Sequence, residues 1–390
     1  MTAGLPRVGI AGIHGHGASH VRTALGLVAA GRAELAAVAD PRPPASGPGE
    51  PVLPVSTAVF DDAAAMIDAA DLDVVVLCTP IHTHLPLGLA AMEAGSHVLL
   101  EKPPTPTFAD FEQLVAASAT TGRAVQLGFQ SLGSAGIAEV RRLVAEGAIG
   151  EVVRYGALGT WLRTEAYWTR APWAGHRTLG GRPVADGAVT NPLAHAVATA
   201  LAVAGADRSD DVGRVRLDLH RANDIEADDT SSFVVELQDR APLAGALSLT
   251  APRRSEPCVV VTGTRGRIVL WYTLDVVQVF ADDGALPHTS AHPRVGLLEN
   301  LLDHLGTGAS LVAPAAATGG FMRVLEAVRT SEAPHRIPDG FVERRESPEG
   351  VHRVVADVER WSDRVLAEGR TFAELGAPWA VPASVAASVE

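Results

Sequence analysis

Val8-Gly-Ile-Ala-Gly12-Ile-His-Gly-His-Gly17-Ala-Ser-His20-Val21 joins an apolar run to an amphipathic stretch through a glycine-rich turn. Val8 to Ile13 reads as a buried strand, and Ala18 to Ala30 carries its apolar residues at helical spacing. Glycines at such a junction let backbone approach a ligand closely, while the helix N-terminus offers unpaired N–H groups and positive potential. The stretch therefore predicts a pyrophosphate cradle. Gly12 and Gly17 fill the first and third places of a GxGxxG fingerprint, His14 stands in the second, and Gly15 and His16 complete the turn. Asp40 ends the next apolar run at about the 20-residue interval at which an acid meets the ribose hydroxyls of a dinucleotide. That acid repels a 2′-phosphate, so NAD is the expected cofactor, and Arg42 beside it keeps NADP open.

Outward from the turn, apolar runs alternate with amphipathic ones. Strands are predicted over Leu35 to Ala39, Val74 to Cys78, His97 to Leu100 and Ala124 to Gly128, with helices over Asp62 to Ala70, Leu85 to Ala94 and Phe108 to Thr120. This alternation implies an α/β, doubly wound parallel sheet over residues 1–128. The proline-dense segment Pro41 to Pro51 reads as a surface loop. Residues 129–390 change character: a helix over Gly136 to Glu146 precedes β-rich runs at Val152 to Leu158, Val212 to His220, Ser231 to Leu237, Ala244 to Leu249, Val259 to Val261, Ile268 to Trp271 and Val276 to Phe280. Strands without intervening helices predict an α+β domain on a mostly antiparallel sheet. Helices at Leu297 to His304, Phe321 to Ser331 and Val351 to Ala367 are expected to close that domain.

Composition narrows the partners. Of 390 residues 47% are hydrophobic and 20% charged, the balance of a chain that buries a core. Lys and Arg number 32 against 45 Asp and Glu, a net charge of −13, with no basic cluster, which argues against nucleic acid and anionic membrane surfaces. No run reaches the ~18 apolar residues of a membrane span. Met1 to Arg7 does not read as a signal peptide, and two cysteines, Cys78 and Cys258, are too few for a disulfide framework, so a cytoplasmic setting is expected.

Two further motifs follow: Cys78-Thr-Pro-Ile-His-Thr-His84 and His97-Val-Leu-Leu-Glu-Lys-Pro103. With Asp73, Thr79, Pro80, His84, Glu101, Lys102 and Pro103 in place, the chain resembles the glucose–fructose oxidoreductase, inositol dehydrogenase and MocA (Gfo/Idh/MocA) family. Gly180-Gly181 leading to Asp186, the entry Glu226 to Asp229, and Gly263-Thr-Arg-Gly266 extend the likeness over most of the chain. Three places depart from the family pattern. Ile81 replaces a frequent Asn, His14 replaces the second glycine, and Asp186 is followed at the fourth place by Thr190 where the family shows His, the nearest imidazole being His195.

The resemblance implies a Rossmann domain, a nicotinamide cofactor, hydride transfer at a CH–OH group of a sugar, polyol or sugar derivative, and a homodimer or homotetramer paired through an exposed sheet face. Lys102, just past a strand's carboxyl end, and His195 are the expected handlers of the hydroxyl proton, with Asp186 orienting one of them. Thr79, Pro80, His84, Glu101 and Lys102 join the glycine turn as cofactor-binding residues. Asn191 is expected to cap a helix begun by Pro192 and so to share a face with His195. Trp161, Arg163, Trp168 and His176 bring rings and donors suited to a polyhydroxylated substrate. His16 and His20 stand at helical i, i+4 spacing, but no accompanying carboxylate motif is visible, so no metal is expected. Two other functions fit the same residues: a relative that retains NAD and uses transient oxidation to cleave a glycoside or eliminate, and a non-catalytic nucleotide-binding regulator.

Overall fold

The computed structural model describes residues 4–44, 51–184, 186–282 and 287–380. They fall into two units, Met1–Gly133 with Val295–Ala316, and Ser134–Arg294 with Ala317–Glu390.

In the first unit β1 (Arg7–Ala11), α1 (Gly17–Ala29), β2 (Glu34–Ala39), β3 (Ala58–Phe60), α2 (Ala63–Ala69), β4 (Val74–Leu77), α3 (His84–Glu93), β5 (His97–Leu100), α4 (Phe108–Thr121) and β6 (Val125–Leu127) follow in order. The six strands line up as β3-β2-β1-β4-β5-β6, every pair parallel. β4 is buried at every position, as a central strand covered on both faces must be. The strand order reverses between β1 and β4, and a ligand crevice opens beyond the carboxyl ends of strands at such a reversal. Gly12 and Thr79 stand just past those two ends. The edge strand β3, three residues long, carries no alternation that the sequence reading could register. Of the proline-dense loop, residues 45–50 lie outside the described residues.

The expected boundary at residue 128 needs correction. The helix Leu297–Thr307 belongs to the first unit, because Leu297, Leu298, Leu301 and Leu302 pack into the same core as Val8, Ile10, Val76 and Leu99. Gln126 on β6, fully buried, donates to Leu297 O (2.8 Å) and Asn300 Oδ1 (2.9 Å), and accepts from Ala313 N (3.1 Å).

The second unit is built on nine strands, mostly antiparallel as expected. Val152–Thr160 pairs antiparallel with Cys258–Gly263 on one side and parallel with Leu243–Ser248 on the other. Alternate residues of a strand face opposite ways. Gly156 leaves room for Leu366 of the helix Val358–Glu368, while Gly159 leaves room for Leu193 ahead of the helix Ala194–Ala204. The central strand is thus covered on both sides by its own chain, and the expected exposed pairing face is closed there. A second correction concerns the helix predicted over Val351 to Ala367: Gly350–Val355 is a strand paired with Val342–Ser347, and the helix begins only at Val358, after Asp357 at φ 52°. The β-branched run favours the pleated surface, and the left-handed residue breaks the path into the helix. No helix among the described residues is long and apolar enough to cross a membrane.

Candidate functional site

In the first unit, the glycine turn is built from steric necessity. Gly12 has φ 81°, and a Cβ there would lie 2.3 Å from Cys78 O; a Cβ on Gly17 would lie 1.8 Å from Gly12 O. Gly15 has φ 58° with open space around it. Asp40 reaches across to this turn, accepting from Ile13 N–H (3.1 Å) through Oδ2 and from Arg42 N–H (3.0 Å) through Oδ1. His14 Nε2 lies 3.1 Å from Pro43 O and 3.9 Å from Asp40.

The turn after β4 is fixed by its own hydroxyls. Thr79 and Thr83 share a hydrogen bond of 2.7 Å, and Thr83 donates to Pro80 O. His84 is buried; its Nε2 faces Thr79 O at 2.9 Å and its Nδ1 faces Pro103 O and Pro104 O at 3.1 and 3.0 Å. It thereby ties the Thr-Pro turn to the segment after Lys102. Burial holds this imidazole below its ordinary value, against the pull of those carbonyls.

Glu101 is the most heavily engaged side chain of this group. Its Oε1 meets His20 Nε2 at 2.8 Å, Gln130 Nε2 at 3.0 Å and His16 Nε2 at 3.3 Å, and its Oε2 accepts the Lys102 N–H at 3.1 Å. Gly128 is bare because a Cβ would lie 2.8 Å from the carboxylate. Burial alone would raise the Glu101 carboxyl, but the hydrogen bonds from His16 and His20 win and hold it far below the usual range. The same bond to Glu101 raises His16, against burial. The ligand atoms of His16, His20 and Glu101 lie within 4.8 Å of one another, so the carboxylate missing from the sequence motif is supplied by the fold. His20 and Gln130 are additions to the predicted set; His20 was readable as the residue one helical turn past Gly17, whereas nothing near Gln130 pointed to Glu101.

Cys78, beside Gly17, is pushed up to about 12 by burial and the Glu101 charge, which keeps its thiol protonated at neutral pH.

In the second unit, Asp186 is buried. It accepts from Arg170 Nη2 (2.8 Å), Asn191 Nδ2 (2.7 Å) and Gly175 N–H (2.7 Å). Asn191 and Pro192 precede the helix, which begins at Ala194 with Leu193 as its cap residue. The expected capping by Asn191 is therefore corrected: its side chain goes to Asp186, and its N–H turns back to Gly187 O at 3.0 Å. His195 lies in the first turn of that helix, and Thr190 closes the preceding turn by accepting the Gly187 N–H.

Trp161 and Arg163 belong to an alternating stack. Guanidinium-to-ring distances run Arg254–Trp161 4.6 Å, Trp161–Arg163 4.7 Å, Arg163–Tyr167 5.0 Å, Tyr167–Arg170 3.6 Å and Arg170–Trp173 4.5 Å. Trp168 is outside it, packed edge-on against Tyr167 and over Gly175. His176 pairs with Glu226 at 3.2 Å and lines a cavity of about 420 Å³ together with Asp186, Gly187, Thr190 and Asp228. Arg254, distant in sequence from the tryptophan-rich segment, was not readable as a member of the stack.

Residues 6–129 match the model of an oxidoreductase family with an NAD-binding Rossmann fold, and residues 137–269 match the GFO/IDH/MocA C-terminal domain. The chain belongs to the Gfo/Idh/MocA family. Among its curated relatives in the family is inositol 2-dehydrogenase 1 of Saccharopolyspora erythraea, 36% identical over 151 residues, which are 38% of this chain and 43% of that protein. Levoglucosan dehydrogenase of Pseudarthrobacter phenanthrenivorans is 28% identical over 122 residues, 31% of each protein. The matches thus span less than half the length of these curated relatives. Solved structures of similar fold include levoglucosan dehydrogenase in complex with NADH (TM-score 0.69, 19% identity, 84% of this chain and 96% of that one). Another is the WlbA dehydrogenase of Bordetella pertussis with NADH and UDP-GlcNAcA (TM-score 0.67, 20% identity, 84% and 95%). At such identities the likeness is one of fold.

Proposed function

We propose that this Gfo/Idh/MocA chain is an NAD-dependent dehydrogenase of a CH–OH group on a sugar, polyol or sugar derivative. The observation that carries the reading is Lys102 placed at the end of β5 directly after a buried carboxylate, Glu101, which three side chains keep ionised and which fixes the Lys102 backbone. NAD would lie along Gly12, His14, Gly15, His16 and Gly17 with its ribose at Asp40, and it supplies the hydride acceptor. The dehydrogenase activities of the inositol and levoglucosan relatives support this choice of substrate class.

As hydride leaves the carbinol carbon, its hydroxyl must lose a proton, because an unassisted alkoxide is costly in a dry site. Lys102 stabilises the developing oxyanion and His195 takes the proton. Asn191 and His195 stand four residues apart, just past Asp186 and Thr190, which occupy the places of the family's Asp and His. Replacing His195 by Asn should lower kcat by roughly 10²–10⁴ with nucleotide affinity nearly constant, and Lys102→Met should be at least as severe. Unchanged turnover in His195→Asn would leave Lys102 as sole proton carrier. Stoichiometric NADH release separates a dehydrogenase from an NAD-retaining eliminase, and absence of turnover on any carbinol would favour a regulator. We place the reaction in the cytoplasm, without nucleic-acid partners, in a homodimer or homotetramer that sedimentation would register.

A further inference from the structure

The stack in the second unit holds three guanidiniums and a single acid. Asp186 pairs with Arg170, whereas neither Arg163 nor Arg254 enters an ion pair among the described residues. Both guanidiniums lie on the one ring of Trp161, whereas Arg360 and Arg364, which share Trp361, are each paired with an acid. Arg163 is half-buried and held below its ordinary value by burial, against the pull of Tyr167, with the neighbouring charges of Arg254 and Arg170 adding to the lowering. Among the described residues, the buried Trp161 Nε1 and Arg163 Nε have no hydrogen-bond partner. Guanidinium has donors and no acceptor, and its planar fork matches carboxylate or phosphate oxygens two at a time.

A neutral sugar could pack on the rings but would bring no counter-ion to Arg163 or Arg254. Resting on the dehydrogenase reading above, we propose that the substrate is an acidic monosaccharide, one bearing a carboxylate or phosphate that Arg163 and Arg254 bind beside Trp161. The stack is bonded to the proposed proton acceptor within one unit, since Arg170 holds Asp186, Asp186 holds Asn191, and Asn191 begins the turn into the helix of His195.

The test uses the full chain with NAD and matched sugars: glucose, glucuronate and glucose 6-phosphate, and galactose with galacturonate. Binding is read by quenching of tryptophan fluorescence, and turnover by NADH absorbance. Acidic members should quench saturably at least about tenfold more tightly than their neutral counterparts, the glucuronate and phosphate arms separating the two anions. Where turnover occurs, they should lead in kcat/KM by a similar factor. Arg254→Gln and Arg163→Gln should lower that preference about tenfold through KM, with Arg163→Lys recovering part of it. Equal or tighter binding of the neutral members, or no saturable binding of any acidic member at 10 mM ligand (about 2.7 kcal/mol of binding free energy at the 1 M standard state), overturns the inference. NADH formation from neutral sugars alone sinks this proposal and spares the dehydrogenase reading; anion binding without NADH from any sugar does the reverse.

Discussion

Asp40 performs two tasks with one carboxylate, pinning the glycine turn through Ile13 N–H and presenting negative charge where a ribose would lie. Asp40→Ala should weaken NAD about tenfold, ~1.4 kcal/mol, and relieve the repulsion of NADP. Calorimetric titration of both nucleotides checks this, and an unaltered protein that already prefers NADP tenfold would remove Asp40 from the role. The two outer glycines differ from the middle one in kind. Gly17→Ala drives a Cβ into Gly12 O and should cost about 1–3 kcal/mol of stability together with nucleotide binding. Gly15→Ala has room and meets only the left-handed backbone penalty of about 1–2 kcal/mol. Urea melts of the two variants, with NAD titration of each, separate clash from conformation.

The contact between α1 and the end of β5 couples the turn to Lys102 and titrates. His16 has its pKa raised by Glu101, so its share of stability is full below the ordinary histidine value of about 6.5 and is lost as pH rises through the higher folded value. The melting-temperature gap between the unaltered protein and His16→Gln should accordingly be larger at pH 6 than at pH 9; a gap that grows with pH would mean the contact is not the charged pair. Because Glu101 is already hydrogen-bonded by both imidazoles and Gln130, dialysis against a strong chelator should leave activity and melting temperature unchanged. A loss that zinc or manganese restores would show a metal at His16, His20 and Glu101. The parallel sheet was legible because its strands are continuous apolar runs and its helices periodic. So were Lys102 and the glycine turn as candidates, because a lysine after an apolar strand and glycines at a strand-to-helix junction have few structural reasons to stand there, and Glu101 was readable as a partner of the Lys102 backbone. What was not legible depends on contacts distant in sequence. Arg170 and Gly175 meet Asp186 only once the chain is folded, Arg254 joins Trp161 only through folding, and Val351 to Val355 has residues that suit a strand once Val342–Ser347 is there to pair with it.

At the scale of the whole chain, the first unit is discontinuous. A chain cut after Gly133 would leave Gln126 without Asn300, Leu297 and Ala313, and would bare the surface that Leu297, Leu298, Leu301 and Leu302 cover. Such a fragment should bind a hydrophobic dye and fail to melt cooperatively, and joining residues 295–316 to it through a flexible linker should restore a cooperative melt. A fragment that folds unaided would show the helix to be an accessory. The same discontinuity sets an order on the ribosome. The six strands of the nucleotide-binding sheet are all made by residue 127, yet the segment that completes their core ends at residue 316 of 390. Emerging chains begin to fold from their N-terminal end. Here the earliest part to be synthesised must wait, with its last strand half satisfied, until most of the later unit has left the tunnel.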